Sequence, residues 1–200
     1  MKFIYNYFSE LELWQQKVYV KKIYAFLFML NFNYPNFKKW YNSLFESDYT
    51  IKNSREIIFC VNSGEIAGVA ILKKTDLENK ICTLRVSTKY EKLGLGRSLL
   101  EKSMEYLHND KPLITLHISM YHKFKNIINR YGFQLEQEIS CCYGLFRSEL
   151  VYNGEIEPQI TYKNNKIISN IAALEKFVFN YPDDLKRNNL FFIPDTVIIY

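Results

Sequence analysis

The residues whose types and spacing best suit chemistry are Gly94-Leu95-Gly96-Arg97. They lie between an alternating stretch, Lys80 to Val86, and an apolar stripe of Leu95, Leu99, Leu100, Met104 and Leu107. The alternation predicts a strand and the stripe predicts a helix. A strand that turns through glycine into a helix aims backbone N–H groups, with the helix dipole behind them, at a phosphate. Gly94 and Gly96 can take φ > 0 and let a ligand approach the main chain closely. Spacing excludes two familiar phosphate loops. G-x-G-x-x-G requires a third glycine where Leu99 stands, and Gly, four residues, Gly-Lys and Ser or Thr is absent.

The elements that must position this turn can be read outward from it. Strict alternation places Ile81, Thr83 and Arg85 on one face of the strand and Cys82, Leu84 and Val86 on the other. Upstream, residues 2 to 8 read as an aromatic-rich strand. Ser9 and Glu12 form a capping box that opens a helix, with Leu11, Trp14, Val18, Ala25 and Met29 as its apolar stripe. Pro35 opens a second helix through Phe37, Trp40, Tyr41, Leu44 and Phe45. Residues 56 to 62 and 65 to 73 read as a hairpin about Ser63-Gly64. Downstream come a strand at Leu113 to Ile118 and a helix at Tyr121 to Tyr131 with Gly132 behind it. Two strands follow, Phe133 to Ile139 and Tyr143 to Tyr152.

Bulk properties narrow the class. Two hundred residues suit one domain with room for an appendage, and the composition, 48% hydrophobic and 24% charged, is globular. A net charge of +5, scattered along the chain, marks no dedicated nucleic-acid surface and slightly favours an anionic ligand. Cys60, Cys82, Cys141 and Cys142 show no C-x-x-C or Cys/His ligand spacing, so reduced thiols and no metal site are expected. The start lacks a basic region followed by an apolar one, and the most apolar run, Ile23 to Leu30, is far short of the roughly 20 residues that span a bilayer. A soluble, cytoplasmic chain with no membrane contact is the expectation.

Tyr90-x-x-x-Gly94-x-Gly96-Arg97-x-Leu99-Leu100, after a strand ending in Val86, resembles the acyl-coenzyme A motif of the GNAT superfamily of N-acetyltransferases. That motif usually begins with Arg or Gln, where this chain has Glu91. Arg130-Tyr131-Gly132-Phe133 resembles the Gly-Phe that closes the last helix of the family. The resemblance covers residues 1–154 and implies an α/β GNAT fold, a mixed central sheet with helices on both faces. Residues 155–200 are expected to add a C-terminal helix and strand, Ile168 to Phe179 and Leu190 to Tyr200, packed on that core.

The resemblance also implies an acyltransferase that moves an acetyl group directly from acetyl-CoA to an amine. Cofactor binding would fall to Leu84, Arg85 and Val86 along the strand, and to Lys92, Leu93, Gly94, Leu95, Gly96, Arg97 and Ser98 at the turn. Two groups common in the family are replaced. Lys80 stands where a glutamate often serves as base, and Ile128 where a tyrosine often serves as acid. His117, at the end of the strand beside the central one, is then the expected proton-transfer residue, with Tyr121 second. The acceptor stays open among small amines, protein amines and aminoacyl-tRNA. The alternatives are a coenzyme A-binding or protein-interaction module that has lost catalysis, and a toxin-like transferase acting on aminoacyl-tRNA. Association into oligomers is compatible with all three.

Overall fold

The computed structural model describes residues 3–32, 34, 36–140, 148–156 and 198–199. Among the described residues, eight strands and four α-helices run in the order β1 (Ile4–Tyr7), α1 (Leu13–Leu27), α2 (Phe37–Asn42), β2 (Arg55–Asn62), β3 (Glu65–Lys74), β4 (Asn79–Val86), α3 (Leu95–Leu107), β5 (Ile114–His117), α4 (Tyr121–Tyr131), β6 (Leu135–Ser140), β7 (Ser148–Tyr152) and β8 (Ile198–Ile199). One sheet has the order β1-β2-β3-β4-β8 and a second the order β5-β7-β6. The two meet where β4 and β5 run parallel through a bridge of Lys80 and Leu113. The Ile81 and Leu113 N–H groups donate across that junction to Leu113 O (3.1 Å) and Asn79 O (2.9 Å). This is the mixed sheet expected from the sequence, with helices on both faces.

Each face has its own core. On one, Leu95, Leu99, Leu100, Met104 and Leu107 of α3 pack with Ile58, Ala70, Leu84, Leu116 and Ile128. On the other, Val20, Ile23 and Leu27 of α1 and the aromatic cluster Phe37, Trp40 and Tyr41 of α2 pack on Ile57, Phe59, Val69, Ile71 and Cys82. α3 follows its sequence stripe, because it presents one uninterrupted apolar face to the sheet. The hairpin also forms as read: Ser63 (φ 50°) and Gly64 (φ 82°) both take the left-handed conformation that a tight β2–β3 connection requires.

Two readings are corrected. The stripe assigned to α1 points the wrong way: Trp14 is 67% exposed and Val18 and Met29 are exposed as well. Gln16, Val20, Ile23 and Leu27 form the buried row instead. Ser9 is engaged elsewhere, donating its hydroxyl to Glu56, so the helix starts later, with Glu12 and Gln15 as its capping box. In β4 the alternation is broken. Ile81 pairs with Leu72 and Thr83 with Ile71, so Cys82 is the extra residue of a bulge. Ile81 therefore joins Leu84 in the core beneath α3, while Cys82 lies in the opposite core.

Residues 157–197 lie outside the described residues, and with them the helix expected at Ile168 to Phe179. Of the apolar end, Ile198–Ile199 forms β8.

The α3–sheet contact leaves no slack at Gly68 of β3. A Cβ there would lie 2.7 Å from Leu99 Cδ1 and 3.2 Å from the Arg85 carbonyl oxygen. Gly68→Val is expected to cost about 1–3 kcal/mol of stability, because main chain on one side cannot yield. Urea unfolding of the two proteins measures it, and an unchanged midpoint would contradict the close approach.

Candidate active site

The first turn of α3 follows the C-terminal end of β4 after a 3-10 turn at Thr88–Tyr90. Gly94 is its N-cap at φ 81°, and the first intrahelical bond runs from Ser98 N–H to Gly94 O (3.0 Å). The N–H groups of Leu95, Gly96 and Arg97 precede that bond, so the helix itself offers them no acceptor. Glu91 to Gly94 are exposed, whereas Leu95 is buried and its side chain belongs to the core. A Cβ on Gly96 would meet only Val86 Cγ2, at 3.5 Å. The structure thus brings the Val86 end of the strand and the Gly96 turn together, as the motif requires. Of the two cationic residues expected there, Lys92 (φ 62°) is exposed. Arg97 donates from Nε to Glu101 Oε1 (2.9 Å), which also accepts from the Tyr131 hydroxyl (2.7 Å).

Beyond the Lys80–Leu113 bridge, β4 turns to a new partner. Thr83 and Leu84 pair in parallel with Ile198 and Ile199 of β8, which also lies beside β5. Leu84 is buried beneath α3, Val86 is partly buried, and Arg85 points to the other face, where Nη1 donates to Phe26 O of α1 (2.8 Å).

That second face carries the polar residues. His117 is half-buried at the end of β5, its Nδ1 2.7 Å from Ser119 Oγ and accepting the Ser119 N–H (3.3 Å). Tyr121 opens α4 and is 39% exposed. Directly opposite His117 in the β5–β7 register is Glu149, a residue the sequence reading missed. It is 1% exposed, and the Tyr34 hydroxyl donates to its Oε1 (3.3 Å). Burial pushes its carboxyl up to about 8, against the lowering effects of the Tyr34 hydroxyl and the Lys80 charge. Lys80, where the family often has a base, is itself 1% exposed. Ile128 is a core residue, so no hydroxyl occupies the place of the usual acid. Among the described residues there is no group of three or more His, Cys, Asp or Glu that could hold a metal ion, and no helix is long and apolar enough to cross a membrane.

Residues 31–143, more than half of the chain, match the model of the acetyltransferase (GNAT) domain family. The chain belongs to the GNAT family. Its fold is shared with a Desulfovibrio desulfuricans protein assigned to the same family, at TM-score 0.54 and 15% identity over 76% of this chain and 97% of that one. It is likewise similar to the ribosomal-protein-S18-alanine N-acetyltransferase of Escherichia coli, at TM-score 0.52 and 16% identity over 82% and 100%. A GNAT acetyltransferase from Elizabethkingia anophelis with acetyl-CoA bound is more distant, at TM-score 0.42 and 19% identity over 50% and 74%. No curated protein matches the sequence. GNAT membership accounts for the mixed α/β fold.

Proposed function

We propose that this GNAT protein is an acetyl-CoA-dependent N-acetyltransferase that moves the acetyl group directly to an amine. The observation that carries the reading is the bare first turn of α3, with space above Gly96 where a side chain would otherwise lie. The N–H groups of Leu95 to Arg97 suit a pyrophosphate, and the α3 dipole favours its charge. Lys92 and Arg97 add positive charge beside the turn, while Leu93 and Ser98 contribute main chain. The outer edge of β4 offers amides and carbonyls of Arg85 and Val86 to an extended, amide-bearing arm, and those of Leu84 where Ile199 gives way. Acetyl-CoA would supply an activated acyl carbon, and the chain's own work is to hold it, exclude water and move protons.

His117 and Tyr121 are the proposed proton-transfer residues at the carboxyl-terminal end of β5 and the start of α4, with Tyr121 as donor to the departing thiolate. His117→Ala is expected to lower turnover by about 10²–10⁴-fold with acetyl-CoA affinity unchanged. Full turnover in that variant at every pH would remove His117 from the mechanism. The domain division proposed is a GNAT core over residues 1–154 with residues 155–200 packed on it.

The test of the reading joins two measurements. Calorimetry should show acetyl-CoA binding to the whole protein. Thiol release should then follow addition of one acceptor from a panel of spermine, a peptide with a free α-amine, a peptide with an internal lysine, and alanyl-tRNA. Tight binding with no acceptor-dependent release would favour the second reading, a coenzyme A-binding module without catalysis, which Lys80 and the core position of Ile128 support.

A further inference from the structure

We propose that Glu149 takes the proton from the acceptor's ammonium group, at the floor of a polar patch shared by β4, β5 and β7. The proposal rests on the transferase reading above and assigns a residue to its chemistry. Three observations carry it.

The first is placement. Leu84, Ile114, Leu116, Leu150 and Tyr152 all belong to the core beneath α3 and α4. Alternation therefore turns Thr83, Thr115, His117 and Glu149 to the other side. Glu149 lies one strand in from β5, in register with His117, and β8 runs between β5 and β4 at Thr83.

The second is unmet bonding. Oε2 of Glu149 is buried with no hydrogen-bond partner among the described residues, and so are Oγ1 of Thr83 and Oγ1 of Thr115. Three buried polar atoms on three strands of one face, each without a partner among the described residues, suit a polar ligand that completes them.

The third is electrostatic surroundings. The groups facing Glu149 are the Tyr34 hydroxyl from the α1–α2 connection, Lys80 of β4 and His117 of β5, while β6 brings its register partner Ile139. With its carboxyl near 8, Glu149 exchanges a proton close to physiological pH, which is what a base for an amine requires.

The atoms balance as follows. The ammonium nitrogen carries three protons and the amide product keeps one. One passes to the Glu149 carboxylate and one leaves with sulfur as the thiol, while a C–N bond forms and the C–S bond of the thioester breaks. Glu149 then returns its proton to water, and His117, partly exposed opposite it, offers the exit.

The experiment uses the full chain, acetyl-CoA and whichever member of the panel the wild-type protein acetylates. Glu149→Gln keeps the shape and neutral charge of the protonated acid. It is expected to lower kcat/KM by about 10²–10⁴-fold, leave acetyl-CoA affinity unchanged and abolish the limb of the pH profile near 8. Tyr34→Phe removes a group that lowers the carboxyl pKa, so it should move that limb to higher pH without abolishing it. A folded Glu149→Gln protein with wild-type turnover and the limb intact would overturn the proposal. A wild-type protein inert with every acceptor would instead overturn the transferase reading beneath it.

Discussion

Glu149→Gln is expected to make the protein more stable than wild type at pH 8, and no more stable at pH 4. The sign follows from where the proton sits. In the unfolded chain the carboxyl ionises near 4.5, but in the folded protein burial holds it protonated to about 8. Between those values the folded state binds one proton more than the unfolded state, so folding stability falls as pH rises, by about 1.4 kcal/mol per unit. Below 4.5 both states are protonated and the glutamate contributes no slope. Above 8 both are ionised and the loss is complete, at most about 5 kcal/mol by that arithmetic. Glutamine has no such slope, and other groups titrate in both proteins and cancel. Unfolding free energies measured by urea at half-unit steps from pH 4 to 9 give the difference directly. A constant difference across that range would mean that Glu149 ionises normally and could not serve as described.

Acetyl-CoA affinity is expected to fall by about 10²–10⁴-fold in Gly96→Trp, with the fold retained. Charge-assisted hydrogen bonds contribute about 1.5–3 kcal/mol each, and an indole over the first turn of α3 would deny a pyrophosphate at least two of them. The fold should survive, because the Cβ meets only Val86 Cγ2 at ordinary contact distance and tryptophan suits a helix better than glycine. Gly94→Ala is the useful contrast. Nothing lies within 4 Å of a Cβ there, yet the φ of 81° would strain alanine by about 1–2 kcal/mol. Gly94→Ala should thus lose stability, where Gly96→Trp should keep it. Calorimetry showing equal affinity in Gly96→Trp and wild type would take the cofactor away from this turn.

What could be read in advance, and what could not, divides along physical lines. α3 was legible because Leu95, Leu99, Leu100, Met104 and Leu107 lie on one helical face, and all five are buried. The glycine turn was legible because its spacing is a local matter. α1 was legible as a helix but not in its orientation, since aromatic and aliphatic residues surround it and only the sheet decides which are covered. The bulge at Cys82 leaves no mark in the sequence, because it is a property of pairing with β3. Glu149 was hidden for a similar reason. In Ser148-Glu149-Leu150-Val151-Tyr152 it reads as the solvent side of a strand, and it is buried because β7 is central, with β5 and β6 on its two sides and Tyr34 above. The signal that could have found it is the replacement at Lys80: a buried lysine calls for a nearby anion.

The short pairing of β8 with β4 bears on how a ligand gains entry. The edge of β4 at Thr83 and Leu84 is a single row of main-chain groups, and Ile198 and Ile199 already hold part of it. A ligand that uses the same row meets a rival tethered in the same molecule, at an effective concentration that dilution cannot lower. Its apparent affinity is its intrinsic affinity scaled by the fraction of chains in which those two residues have let go. For the proposed acetyl-CoA arm, entry and withdrawal of β8 would be a single exchange at one edge.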